Sequence, residues 1–151
     1  LKIQQIVTIT AENFVCMMAD DEGLDNTVDM SHFYVKANAF NRSGSNDPGV
    51  QINPVDQVVY EYKGKDPMDR GSVHSANSSI DLTFDTEHYD FNFAKLHLKA
   101  YARDDDGGWS ADESAYGNIT LIGHDMWGAK KIVLSSDDFK FNVNIIIKKK
   151  N

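Results

Sequence analysis

The chain has 151 residues, of which 41% are hydrophobic and 25% charged, and its formal net charge is -8. This length predicts a single domain spanning 1–151 that can fold around its own core. The acidic balance argues against nucleic acid as a partner, because binding to a phosphate backbone needs clustered lysine and arginine. Cys16 is the only cysteine, which excludes an internal disulfide and a cysteine-based metal site.

Hydrophobic and polar residues alternate along much of the chain, which is typical of half-buried β-strands. In chain order, the predicted strands are 1–10, 13–18, 33–40, 57–62, 79–84, 93–102, 118–122, 131–134 and 139–147. Segments rich in Gly, Pro, Asn, Asp and Ser at 41–49, 63–67 and 74–78 are predicted turns. We therefore predict an all-β fold, an antiparallel β-sandwich of about eight or nine strands.

Two acidic, glycine-containing segments each follow an apolar strand. The first, 20–25, reads DDEGLD, and the second, 104–112, reads DDDGGWSAD. Carboxylates this close repel by up to about 4 kcal/mol per pair at 4 Å and an effective dielectric of 20. A hard cation such as calcium, which takes six to eight oxygen ligands, would remove that repulsion. The other interpretation is that both segments are solvated surface loops, because Asp and Gly suit turns.

The order of strand and acidic loop resembles that of C-two-like domains, β-sandwiches that bind calcium through loops at one end. The matching segments are 98–107 with Asp112 downstream, and 18–23 with Asp25, roughly a third of the chain. A Gly-Gly-Trp-Ser insertion before Asp112 departs from the family pattern. The resemblance implies ligand roles for Asp20, Asp25, Asp104, Asp106 and Asp112, and the adjacent Asp21 completes the candidate set.

Two tryptophans are candidate ligand-binding residues. Trp109 lies inside the second acidic segment, and Trp127 follows a short Asp-Met pair. An exposed indole there could stack on a sugar ring or enter a membrane interface. The alternative is that each indole covers an open end of the hydrophobic core.

Catalytic motifs are absent from the sequence: no nucleophile elbow, phosphate-binding glycine loop or zinc-type histidine pair occurs. We therefore predict a non-enzymatic, calcium-assisted recognition module that targets a secreted protein to a membrane or glycan surface. One alternative is a structural or adhesive subunit, in which metal stiffens the loops and the partner is another protein. A small carbohydrate-active enzyme is the less favoured alternative.

The expected setting is extracellular or at the cell surface, where millimolar calcium can fill weak sites. The chain opens at Leu1 in a strand-like pattern, without an initiator methionine or a signal peptide. We therefore expect a mature product or a module of a longer chain.

Overall fold

A computed structural model describes residues 4–20, 26–105 and 112–151, and it contains eight β-strands. The strands are β1 (Gln4–Ala19), β2 (Thr27–Asn41), β3 (Val50–Asp69), β4 (Val73–Asp85), β5 (Lys95–Asp104), β6 (Ser114–Ile122), β7 (Gly128–Ser135) and β8 (Phe139–Lys149). Two short 3-10 helices, Phe91–Phe93 and Gly123–Met126, lie between strands. Among the described residues, no helix has the length and apolar character needed to cross a bilayer.

The strands form two four-stranded sheets, ordered β4-β1-β8-β7 and β3-β2-β5-β6. Every neighbouring pair is antiparallel. The predicted antiparallel β-sandwich is therefore confirmed. The half-buried strands predicted at 93–102 and 139–147 each place one face on the core, since Leu96, Leu98, Val143 and Ile145 are each 0% exposed.

An aromatic cluster joins the two sheets through the core. Phe33 of β2 contacts Phe14 of β1 at a ring-centroid distance of 4.5 Å and Phe141 of β8 at 5.4 Å. All three rings are fully buried. Because this cluster spans both sheets, it holds the sandwich halves together in a way that strand pairing does not.

Several strands are longer than predicted. The described part of the first predicted segment, 4–10, and the segment 13–18 belong to one strand, β1, whose register shifts between Ala11 and Asn13. The predicted turns at 63–67 and 74–78 were wrong, because they lie within β3 and β4. β3 is an edge strand, where Pro67 can pair opposite Asp29 although it has no backbone N–H to donate.

Candidate functional site

The connection from β1 to β2 and the connection from β5 to β6 emerge at the same end of the sandwich. The backbone N–H of Asp105 donates to the carbonyl of Asp29 at 2.8 Å, which joins the end of β5 to the start of β2. The N–H of Asp20 donates to the carbonyl of Asp138 at 2.8 Å, which ties the end of β1 to the turn before β8. Both acidic segments therefore leave the sheets at this end of the sandwich.

We call this the acidic end, because aspartates gather where these strands meet. Its described aspartates are Asp20, Asp29, Asp69, Asp104, Asp105, Asp112 and Asp138. Oxygen atoms from carboxylates and backbone carbonyls are the ligands that calcium prefers, whereas softer metals select nitrogen and sulfur. The donor chemistry at this end therefore fits a hard divalent cation.

Asp104 is the predicted ligand that lies deepest. It follows Ala100 and Ala102 on the inward-facing side of β5, and it is only 1% exposed. Its Oδ1 accepts the N–H of Glu113 at 2.7 Å, and its own N–H donates to the Glu113 carbonyl at 2.9 Å. This pair of hydrogen bonds holds the start of β6 against the end of β5. A carboxylate this buried needs hydrogen bonds or a cation to offset its lost hydration.

Asp112, another predicted ligand, pairs with a protein cation. Its Oδ2 accepts a hydrogen bond from Nη2 of Arg103, and this bond raises the pKa of the guanidinium further above its ordinary value. The partner was not anticipated, although Arg103 directly precedes the acidic run in the sequence. The pair is partly exposed, so solvent and salt weaken it. Asp112 would have to exchange Arg103 for a metal in order to act as a ligand.

The remaining predicted residues of the acidic segments are only partly covered by the structure. Asp20 is exposed at the end of β1. Asp21, Asp25, Asp106 and Trp109 lie outside the described residues. The structure therefore places Asp20, Asp104 and Asp112 at the same end of the sandwich, although their carboxylates are not among the described side chains whose ligand atoms lie within 4.8 Å of one another.

Trp127 lies at the opposite end. Its indole stacks on Phe91 at 5.5 Å with an interplanar angle of 11°, and its Nε1 donates to Nδ1 of His124 at 3.3 Å. It is partly buried and packs against the core. The N–H of Gly123, four residues earlier, donates to the carbonyl of Ala94, the residue before β5. Since β5 has 10 residues, Trp127 is about 30 Å from the acidic end, at roughly 3.3 Å per residue.

Among the described residues, a group of closely spaced possible metal ligands lies at this opposite end. Ligand atoms of Asp85, Glu87 and His88 are all within 4.8 Å of one another. Nδ1 of His88 and Oδ2 of Asp85 are 2.8 Å apart, and this hydrogen bond raises the pKa of the histidine. The sequence analysis missed the group because it searched for paired histidines, and here a single histidine follows two acids. Glu87 and His88 are exposed, and such groups are common without a bound ion.

No protein-family profile and no curated protein matches the chain. Among solved structures, a C2 domain of plant Extended Synaptotagmin 1 aligns over 97% of this chain and 96% of its own, with 15% identity and a TM-score of 0.41. A structure from work on CC2D1B in the mitotic reformation of the nuclear envelope aligns over 97% of this chain and 55% of its own, with 11% identity and a TM-score of 0.41. Human GIVD cytosolic phospholipase A2 aligns over 99% of this chain and 18% of its own, with 11% identity and a TM-score of 0.40.

Proposed function

We propose that the acidic end binds calcium and that the chain is a non-enzymatic module which docks on an anionic membrane surface when calcium is bound. The observation that supports this proposal is that the strand ends from which both acidic connections leave lie at one end of the sandwich, where the carboxylate of Asp104 is buried. Without a cation, the gathered carboxylates repel one another and also repel anionic head groups. A bound divalent cation would reduce both effects.

The residues that would hold the ion are Asp104 at the core edge and Asp20 at the surface, with Asp112 joining if it leaves Arg103. Calcium supplies positive charge and coordination sites that carboxylate, carbonyl and head-group oxygens can share. An extracellular or cell-surface setting suits a weak site, because calcium is millimolar there.

A thermal melt with and without calcium tests the metal. If the site binds calcium at roughly 0.1 mM, then 2 mM calcium stabilises the native state by about 1.8 kcal/mol through mass action. For a domain of this length, the melting temperature should rise by roughly 4–7 °C. Ionic strength is held constant, so that general screening of the acidic surface does not imitate specific binding. An unchanged melting temperature would support solvated loops instead.

Two variants locate the site. Asp104→Asn keeps the side-chain shape and removes the charge, so the calcium-induced shift should disappear whatever the variant's own melting temperature. Asp20→Asn, at an exposed position, should reduce the shift without affecting the fold. Asp85→Asn is the matched control at the opposite end, and it should retain the full shift. Loss of the shift in Asp85→Asn alone would place the cation at the Asp85 group.

Sedimentation with vesicles tests the membrane. Vesicles of phosphatidylserine and phosphatidylcholine should pull down the protein in calcium and release it in EDTA, whereas pure phosphatidylcholine vesicles should not. Asp104→Asn should stay in the supernatant under both conditions. A calcium-induced melting shift without vesicle binding would favour the alternative of a structural or adhesive subunit with metal-stiffened loops.

A further inference from the structure

A pocket of about 480 Å³ opens on the outer face of the β3-β2-β5-β6 sheet. Its lining residues Lys95 and His97 alternate along β5 with the buried Leu96 and Leu98, so the pocket faces away from the core. Its size is in the range that accommodates small molecules. It lies near the start of β5, far from Asp104 at the acidic end.

One wall of the pocket is held rigidly by Asn38, which is 8% exposed. Its Oδ1 accepts from Nε2 of Gln51 at 2.6 Å and from the N–H of Asp56 at 2.8 Å. Its Nδ2 donates to Oδ1 of Asp56 at 2.7 Å. Asp56 has a left-handed backbone with φ of 51°, which this network supports. The polar groups on this side are therefore oriented before any ligand arrives.

The other wall consists of two polar side chains on paired strands. His97 of β5 lies opposite Thr120 of β6, and its Nδ1 is 2.9 Å from Oγ1 of Thr120. Burial, with smaller contributions from nearby lysines, lowers the pKa of His97 below its ordinary 6.5, which favours the neutral imidazole. No hydrogen-bond partner for its Nε2 is found within the part of the chain that the structure describes. The ring can therefore donate to a ligand hydroxyl or accept from it.

The charges of the lining largely cancel. Asp56 forms an ion pair with Lys99 at 2.8 Å, and Lys95 lies over the ring of Phe40 at 5.0 Å. Only Phe40 and Val55 are apolar among the eight lining residues. An anionic ligand would meet the Asp56 carboxylate, and a lipid tail would meet the polar side chains that form both walls. A neutral ligand rich in hydroxyl groups matches this lining best.

We propose that this pocket binds a neutral sugar residue, with Gln51, His97 and Thr120 meeting its hydroxyl groups and Phe40 and Val55 packing against its C–H surface. Amide and imidazole groups can donate hydrogen bonds to sugar hydroxyls and accept hydrogen bonds from them. Phe40 and Val55 would contact the C–H groups of the pyranose ring. The proposal is independent of the calcium-dependent function, because none of these residues lies at the acidic end.

Nitrogen-15 heteronuclear NMR in EDTA tests the proposal. The probes are methyl α-glucoside, methyl α-mannoside, methyl β-galactoside and N-acetylglucosamine, each titrated to about 50 mM. A hexose has ~12 non-hydrogen atoms, and at the binding efficiency of drug-sized ligands its Kd would be about 2 mM. At least one probe should give saturable shifts centred on the amides of Asp56, His97 and Thr120, and calcium should leave its Kd unchanged.

Thr120→Val is the diagnostic variant, because it removes the hydroxyl while keeping the β-branched shape of an exposed strand residue. The Kd should rise about 5-fold or more, the loss expected for one hydrogen bond. Asn118→Ala is the matched control, since it lies on the same face of β6 outside the pocket and should leave the Kd unchanged.

Three results would overturn the proposal. The first is no saturable shift with any of the four sugars. The second is a tighter response of the same amides to inorganic phosphate, which would make the pocket an anion site. The third is equal weakening by Thr120→Val and Asn118→Ala, which would place binding elsewhere on the sheet. Each result leaves the calcium measurements unaffected, so the two proposals fail separately.

Discussion

Truncation of Phe33 should reveal how much stability the aromatic cluster between the sheets contributes. Phe33 is 0% exposed, and it contacts Phe14 at 4.5 Å, Phe141 at 5.4 Å and the ring of His74 at 4.6 Å. Phe33→Ala removes the buried ring and leaves a cavity that the two sheets cannot fully close, which costs about 3–5 kcal/mol. For a domain of this length, the melting temperature should fall by roughly 6–20 °C.

Urea unfolding measures this cost, and the midpoint should shift at an unchanged slope. Tyr116→Ala is the matched control: Tyr116 is 72% exposed and contacts Tyr101 on the outer face at 4.7 Å. Its loss should cost no more than about 1 kcal/mol, since little area is buried. A cost for Phe33→Ala below about 1.5 kcal/mol, or one equal to that of Tyr116→Ala, would refute the assignment of the cluster as the core that joins the sheets.

Two further predictions concern titratable side chains. Burial raises the pKa of Cys16, which is 1% exposed, so iodoacetamide should label the native protein far more slowly than the urea-unfolded chain; equal rates would contradict the buried position. A hydrogen bond from the Asn38 amide, and then one from Lys99, lowers the pKa of Asp56 below its ordinary 3.8. The ionised Asp56 therefore stabilises the fold fully above pH 3.8. This stabilisation is lost as the pH falls through the lower pKa of the folded state. The stability difference between wild type and Asp56→Asn, measured by urea unfolding, should therefore be constant near neutral pH and shrink below 3.8; a difference independent of pH would contradict this.

The sequence by itself determined the class of fold and the content of the core. The period-two alternation at 93–102 and 139–147 predicted strands with one buried face, because successive side chains of a strand point to opposite faces. The sequence also located the two acidic segments after apolar strands, since the composition of a segment and its position along the chain can be read directly from the sequence. No knowledge of strand pairing was needed for either inference.

Only the tertiary structure decided which distant residues meet. The segments at 63–67 and 74–78 have turn composition, yet they are strands because long neighbours, β2 and β1, pair with them. The pairing of Arg103 with Asp112 and the distance of Trp127 from the acidic end depend likewise on the path of the chain. The wall around Asn38 lies at a register shift between β2 and β3. Strand register, and which loops and side chains lie near one another, are set by contacts between residues far apart in sequence. The local sequence pattern therefore cannot predict them.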